Sequence, residues 1–207
     1  AASDVYKRQL KLGVDTYEAI EAAATKPFGF MKFLPGPGFG GHCVPVDPFY
    51  LAWRAKQVGV ECDFVELAGR INRQLASKIV WRILTECARR GINPSSTPFV
   101  IIGVAYKPNI ADTRESPAFP IMRLLQSVGA SVCYHDPLVP KLPKLRLYPE
   151  FEGMESVRLD RLCEKALVIV SDHDVVDYRR LAEAQVVFDT RFAMRRRGIR
   201  GESIVEV

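Results

Sequence analysis

From Thr97 to Val207, short apolar runs alternate with helix-like segments, and this alternation constrains the fold more than any other feature of the chain. Residues 99–105 (FVIIGVA) are apolar without interruption, as a strand covered on both faces must be. Residues 131–135, 166–171 and 186–188 read as three further strands, and 116–128, 159–165 and 178–184 as the helices between them. Strands joined through helices pair in parallel by right-handed crossovers, with helices on both faces of the sheet. The expected fold class is therefore α/β. Ligands in such sheets sit at the carboxyl ends of the strands, which directs attention to the residues just after Ala105, His135, Ser171 and Phe188.

The first ninety residues follow another pattern. Residues 16–25 (TYEAIEAAAT) are rich in Ala and Glu and read as the end of a helix. Residues 26–48 carry too much Pro and Gly for a regular element, and a loop of that length in a compact protein is usually functional or disordered. Asp47 then serves as N-cap and Pro48 as first residue of a helix reaching Gly59. Phe64, Leu67, Ile71, Leu75, Ile79, Ile83 and Cys87 recur at helical spacing, which predicts one helix over residues 63–90, about 40 Å long. Such a helix suits a spine between domains or a dimer interface; a long core helix within one subunit fits the same stripe.

Charge and cysteine usage remove several function classes. Lys and Arg number 29 against 24 Asp and Glu, so the net charge is only 29 − 24 = +5, with much of it in Arg89-Arg90 and Arg195-Arg196-Arg197. That is a solvated surface rather than a nucleic-acid footprint. No apolar run approaches the roughly 20 residues of a membrane span, and no signal-peptide core is present, so the expected location is cytoplasmic. Five cysteines, odd in number and without a C-x-x-C pair, suggest neither a zinc site nor a disulfide framework.

Two clusters could carry chemistry. Gly36-Pro37-Gly38-Phe39-Gly40-Gly41 satisfies G-x-G-x-x-G on paper, but Pro35, Pro37 and Pro45 exclude the strand before it and the helix after it that a dinucleotide turn needs. Directly behind it, Cys43 precedes Asp47 by four residues. Exposed amides and the dipole of the coming helix would favour a thiolate at Cys43, and Asp47 could handle a proton or a water. On spacing alone an inert loop cysteine is the simpler reading. His42 is unsuited as its base, because adjacent side chains of an extended segment point apart. The second cluster follows the first strand: Lys107 and Arg114 are donors suited to phosphates, Asp112 or Thr113 could cap the next helix, and Glu115 would lie in its first turn. A capped turn with solvated basic residues explains the same pattern.

Taken together, GPGFGGHCVPVDPFYL (residues 36–51) and GVAYKPNIADTRESPA (residues 103–118) closely resemble the nucleotide-sugar 6-dehydrogenases, the family that oxidises UDP-glucose, UDP-N-acetylglucosamine, UDP-N-acetylmannosamine and GDP-mannose. The resemblance runs from about residue 10 to the end. It implies a central helical domain with a catalytic Cys loop over residues 10–92, followed by a Rossmann-like UDP-binding domain over residues 93–207; residues 1–9 resemble nothing in the family and read as a non-native remnant. It implies NAD-dependent, four-electron oxidation of a sugar C6 alcohol to a carboxylate. Cys43 falls on the family's nucleophile, which holds the aldehyde as a thiohemiacetal and then as a thioester, and Asp47 falls on the acid/base helper. Lys107 and Arg191 fall on residues that hold the nucleotide, Arg114 on an arginine that reaches NAD, and Lys32-Phe33-Leu34 with Gly40-Gly41 on the segment around the UDP-sugar. A homodimer through residues 63–90 is implied as well.

The sequence departs from the family at three points. No strand–glycine turn–helix unit for NAD is present, nor the lysine and asparagine that precede the cysteine loop, so the chain is expected to be the central and C-terminal part of a longer enzyme. Val46 stands where UDP-glucose enzymes carry lysine, which favours the N-acetyl-hexosamine branch, nearest the UDP-N-acetylglucosamine 6-dehydrogenases. Phe192 stands where this branch carries asparagine. UDP-glucose or UDP-N-acetylmannosamine oxidation and a non-catalytic, dimerising UDP-sugar-binding module are the alternatives. A β-hydroxyacid dehydrogenase relative would have no use for the cysteine.

Overall fold

A computed structural model describes residues 12–207; the expected remnant at residues 1–9 lies outside them. The chain divides into two compact units, one ending at Gly36 and the other running from Pro37 to Val207. In the first, helix α1 (Thr16–Ala24) does not end a longer helix, as expected, but begins at its own cap: Asp15 is extended, and its carboxylate accepts from the Glu18 N–H at 3.0 Å. No helix or strand forms between Thr25 and Val46, as the Pro and Gly content requires.

The second unit begins with α2 (Asp47–Gln57), α3 (Asp63–Arg73) and α4 (Leu75–Arg89). The N-cap of α2 is Val46 rather than Asp47, which is already the first helical residue. The single helix expected over residues 63–90 is divided at Gln74, which caps both α3 and α4. Its ψ of −10° and its N–H bond to the Ile71 carbonyl, three residues back, tighten the turn and end the regular ladder there. The apolar stripe divides with it. Ala76, Ile79, Val80, Ile83 and Cys87 enter the core, whereas Phe64 on α3 is 88% exposed and Leu67 is exposed too.

The sheet consists of β1 (Phe99–Ile102), β2 (Val132–His135), β3 (Ala166–Ile169), β4 (Val186–Asp189) and β5 (Ile204–Glu206), all parallel, in the order β2-β1-β3-β4-β5. Its helices are α5 (Ala118–Ser127), α6 (Tyr178–Leu181) and α7 (Ala193–Arg196). In register, Phe99, Val132, Ala166 and Val186 share one face with Ile101, Val168 and Phe188, and pack on α4 and α5. Val100, Ile102, Leu167, Ile169 and Val187 point to the other face, toward Tyr178, Leu181, Ala193 and Met194. Period-two alternation along strands apolar on both sides thus builds two cores from one sheet.

Two sequence-based expectations fail here. Residues 159–165 form only a 3-10 turn, Leu162–Glu164, because Arg161 takes a left-handed conformation (φ 44°) that a helix cannot contain. Strand β5 was not expected; its residues are half-buried and close to charged neighbours, so no continuous apolar run marks it. Among the described residues no helix is long and apolar enough to cross a membrane.

Candidate functional site

Strand order reverses direction between β1 and β3, so the crevice of this sheet opens at their carboxyl ends. There Gly103 adopts φ 78°, and a Cβ at that position would collide with the Ser171 carbonyl. Only glycine lets the two loops leave the sheet so close together. Tyr106 and Lys107 lie on the first loop. Lys107 is exposed, with its Nζ 5.6 Å from the centre of the Tyr106 ring. Neither Asp112 nor Thr113 caps α5, whose N-cap is Pro117, and Glu115 lies outside it with φ 50°. Asp112 instead binds Arg114, accepting from Nε at 3.0 Å, and the Arg114 guanidinium holds the Asp112 carboxyl below the usual carboxylate range.

The cysteine loop is seated on this same cluster. The Gly41 N–H donates to the Arg114 carbonyl at 2.9 Å. A Cβ on Gly40 would lie 2.6 Å from the Glu115 carbonyl oxygen and 2.6 Å from Tyr106 Cβ, and Gly41 (φ 89°) lies against the Tyr106 ring. Phe39 N–H donates to Asn72 Oδ1 on α3 at 3.1 Å. The glycines are thus where the turn presses on the Glu115 backbone and the Tyr106 side chain, with no room for side chains of its own. Cys43 is exposed beyond them. Arg114 is raised above its ordinary value, first by Asp112.

One expected feature of Cys43 is corrected. The amides at the start of α2 are not open to a thiolate: the Asp47 N–H donates to the Cys43 carbonyl at 2.8 Å, and the Phe49 and Tyr50 N–H groups donate to the Val46 carbonyl. What the turn meets instead is the backbone of Arg114, whose carbonyl accepts from the Gly41 N–H. Asp47 lies one turn from Cys43 and is exposed. Phe33 and Leu34 belong to the first unit, where Phe33 is 66% exposed and Leu34 half-buried; Lys32 pairs there with Glu21 at 2.5 Å.

Arg191 follows β4. Its N–H donates to Asp189 Oδ1 at 2.9 Å, and its Nε donates to Asp172 Oδ1 at 3.3 Å. Burial pushes the Asp189 carboxyl up, against the pull of the backbone N–H groups of residues 194, 191 and 193 that it accepts. Asp172, buried just after β3, also binds Arg196 and lies 3.8 Å from Arg197. Phe192 adopts φ 54°, a conformation that asparagine tolerates and phenylalanine resists, and its ring is buried. A second set of strand-tip residues, Asn109, Asp136 and His173, was not identified from the sequence. His173 and Asp136 are fully buried and bond each other, while the Asn109 side chain bonds Asp174. The available signal was their place just beyond β1, β2 and β3.

An open pocket of about 640 Å³ is lined by Tyr106, Lys107, Ile110, Asp112, Arg114 and neighbours. The geometry unites an exposed thiol, two cations of the β1 loop and, across Asn109–Asp174–Arg197–Asp172, the arginine after β4. It can present a nucleophile beside a phosphate-sized anion. Among the described residues no group of three or more His, Cys, Asp and Glu could hold a metal ion.

Comparison with known proteins identifies the family. Residues 4–74 match the model of the UDP-glucose/GDP-mannose dehydrogenase family, central domain, and residues 100–196 that of the same family's UDP binding domain. The chain is 35% identical over 127 residues to UDP-N-acetyl-D-mannosamine dehydrogenase of Pyrococcus horikoshii, covering 61% of this chain and 29% of that protein. It is 31% identical over 129 residues to UDP-N-acetyl-D-glucosamine 6-dehydrogenase of Pseudomonas aeruginosa, covering 62% and 30%. A solved UDP-D-ManNAc dehydrogenase of Pyrococcus horikoshii superposes with a TM-score of 0.74 at 27% identity, over 92% of this chain and 43% of that one. The chain spans about a third of the length of the curated relatives it matches. With both models matched and the fold shared, the chain belongs to the UDP-glucose/GDP-mannose dehydrogenase family.

Proposed function

We infer that this chain carries the nucleophile and the nucleotide-holding face of an NAD-dependent dehydrogenase that oxidises the C6 alcohol of a UDP-N-acetyl-hexosamine, with UDP-N-acetylglucosamine the preferred candidate. The observation that carries the reading is the seating of the Cys43 turn on the loop of Lys107 and Arg114. The relatives named for UDP-N-acetyl-hexosamines support the substrate class.

A thiol suits two-stage oxidation of an alcohol to an acid. An aldehyde carbon must become tetrahedral before it can lose hydride, and sulfur addition makes it so. Cys43 would hold that carbon first as a thiohemiacetal and, once oxidised, as a thioester. Asp47 would take a proton from the water that opens the thioester. Lys107 and Arg191 would hold the diphosphate side of the substrate, and Gly40 and Gly41, pressed against Glu115 and Tyr106, would seat the cysteine turn beside it. NAD, when bound, would supply the hydride acceptor, one molecule for each of the two oxidations. Among the described residues Arg114 is the group that fits it, an exposed cation beside the thiol; no dinucleotide turn is present among them, and the unit holding the rest of NAD would lie outside these 207 residues. The exposed Phe64 and Leu67 support a homodimer through α3.

In the longer enzyme, Cys43→Ser should abolish uronic acid formation; a Cys43→Ser enzyme that still completes the acid excludes the covalent route. The missing dinucleotide turn favours a second reading, in which the 207 residues bind a UDP-sugar without redox activity. Mixed with NAD and UDP-N-acetylglucosamine they should then show no rise at the NADH absorbance band, and NADH production by this chain would eliminate that reading.

A further inference from the structure

We propose that His173 is a positioning residue of the nucleotide site, tying the loop that carries Tyr106 and Lys107 to the tips of β2 and β3. The inference rests on the reading of Lys107 as a nucleotide ligand. His173 is fully buried. Its Nδ1 lies 2.9 Å from the backbone nitrogen of Asn109. A backbone N–H can only donate, so Nδ1 must offer a lone pair and the imidazole proton must sit on Nε2. Nε2 then donates to Asp136 Oδ2 at 3.1 Å. The ring is neutral, and both its nitrogens are used.

Asp136 completes the tie. Its Oδ2 also accepts from the Val104 N–H at 2.8 Å, and its Oδ1 from the N–H groups of Leu138 at 2.9 Å and Val139 at 3.2 Å. Burial raises this carboxyl, but the bonds from His173 and the backbone outweigh it and hold it below its ordinary value. One carboxylate therefore fixes the loop at Val104 directly and at Asn109 through the imidazole. Tyr106 and Lys107 lie between the two fixed points. Asn109 anchors the far end of the loop: its φ of 62° turns the chain, and its side chain exchanges two bonds with Asp174, at 2.7 and 2.9 Å. Because Tyr106 is also the floor beneath Gly40 and Gly41, the same tie sets the height of the Cys43 turn. A buried imidazole costs desolvation that an apolar side chain of its size would not, and here that cost meets a loop N–H and orders a binding surface.

Calorimetric titration of the 207-residue chain with UDP tests this, comparing wild type, Lys107→Met, His173→Ala and His173→Gln. Lys107→Met and His173→Ala should each weaken binding about tenfold, the equivalent of one lost ordered hydrogen bond. His173→Gln, whose amide can accept from Asn109 and donate to Asp136, should recover most of the affinity. A folded His173→Ala chain that binds UDP like wild type overturns the proposal. Should that variant fail to fold, nitrogen NMR of the wild-type imidazole decides: the Nε2–H tautomer is expected, and a proton on Nδ1 overturns it. Wild-type chain that ignores UDP, or Lys107→Met that binds normally, defeats the nucleotide reading instead, and the tautomer still reports on the tie.

Discussion

Cys43 and Cys163 are exposed, whereas Cys87 is enclosed by the core and burial pushes its thiol up to about 11. A thiol with that value is protonated at neutral pH and does not attack. Iodoacetamide under mildly alkaline conditions should therefore label Cys43 and Cys163 and leave Cys87 untouched until the protein is denatured; peptide mass spectrometry reads the three sites separately. The glycines before Cys43 make a second case. A methyl group on Gly40 meets a carbonyl oxygen at 2.6 Å, and a backbone group cannot swing away as a side-chain tip can. Gly40→Ala should cost about 1–3 kcal/mol in urea melts, as overpacking does. Gly201→Ala, with its nearest neighbours at 3.9 Å, should be neutral or slightly stabilising. Sequence singled out Cys43, Lys107 and Arg114 because they sit in motifs of fixed spacing. It could not show His173, since a lone histidine after an apolar run has the same appearance whether it is buried or solvated.

On α4, Glu86 accepts from Arg89 at 2.7 Å and from Arg90 at 2.5 Å, and the two guanidinium groups hold its carboxyl down at about 2. A carboxylate depressed in the folded state contributes stability above its unfolded value, near 4.5, and the contribution drains away as pH falls toward 2. Because the Arg89 side chain is 68% exposed, solvent screening reduces that contribution to about 1 kcal/mol. Glu86→Gln should lower stability by that amount at neutral pH and flatten the loss between pH 4.5 and 2 in chemical denaturation. Elements such as β1, β3 and β4 were legible because both of their faces are apolar. The division at Gln74 was not: Ile71 and Leu75 keep helical spacing across it, and the break lies in the backbone of one residue. Asn72→Ala should leave the Phe39 N–H without its partner and cost about 1 kcal/mol, with faster amide exchange confined to residues 38–43.

At the scale of the molecule, Phe64 and Leu67 leave an apolar face on α3, while α4 spends its stripe on the sheet. Phe64→Asp with Leu67→Asp should convert a dimer to a monomer in analytical ultracentrifugation while leaving the far-UV spectrum unchanged; a wild-type chain that sediments as a monomer refutes that interface. The central claim is that a reactive thiol and a nucleotide site share one loop cluster. It is tested most directly by the rate of Cys43 alkylation in the 207-residue chain with and without saturating UDP-N-acetylglucosamine, using Cys163 as the internal standard. The account predicts that the UDP-sugar slows labelling of Cys43 at least severalfold and leaves Cys163 unchanged; equal Cys43 rates with and without the sugar nucleotide would contradict it.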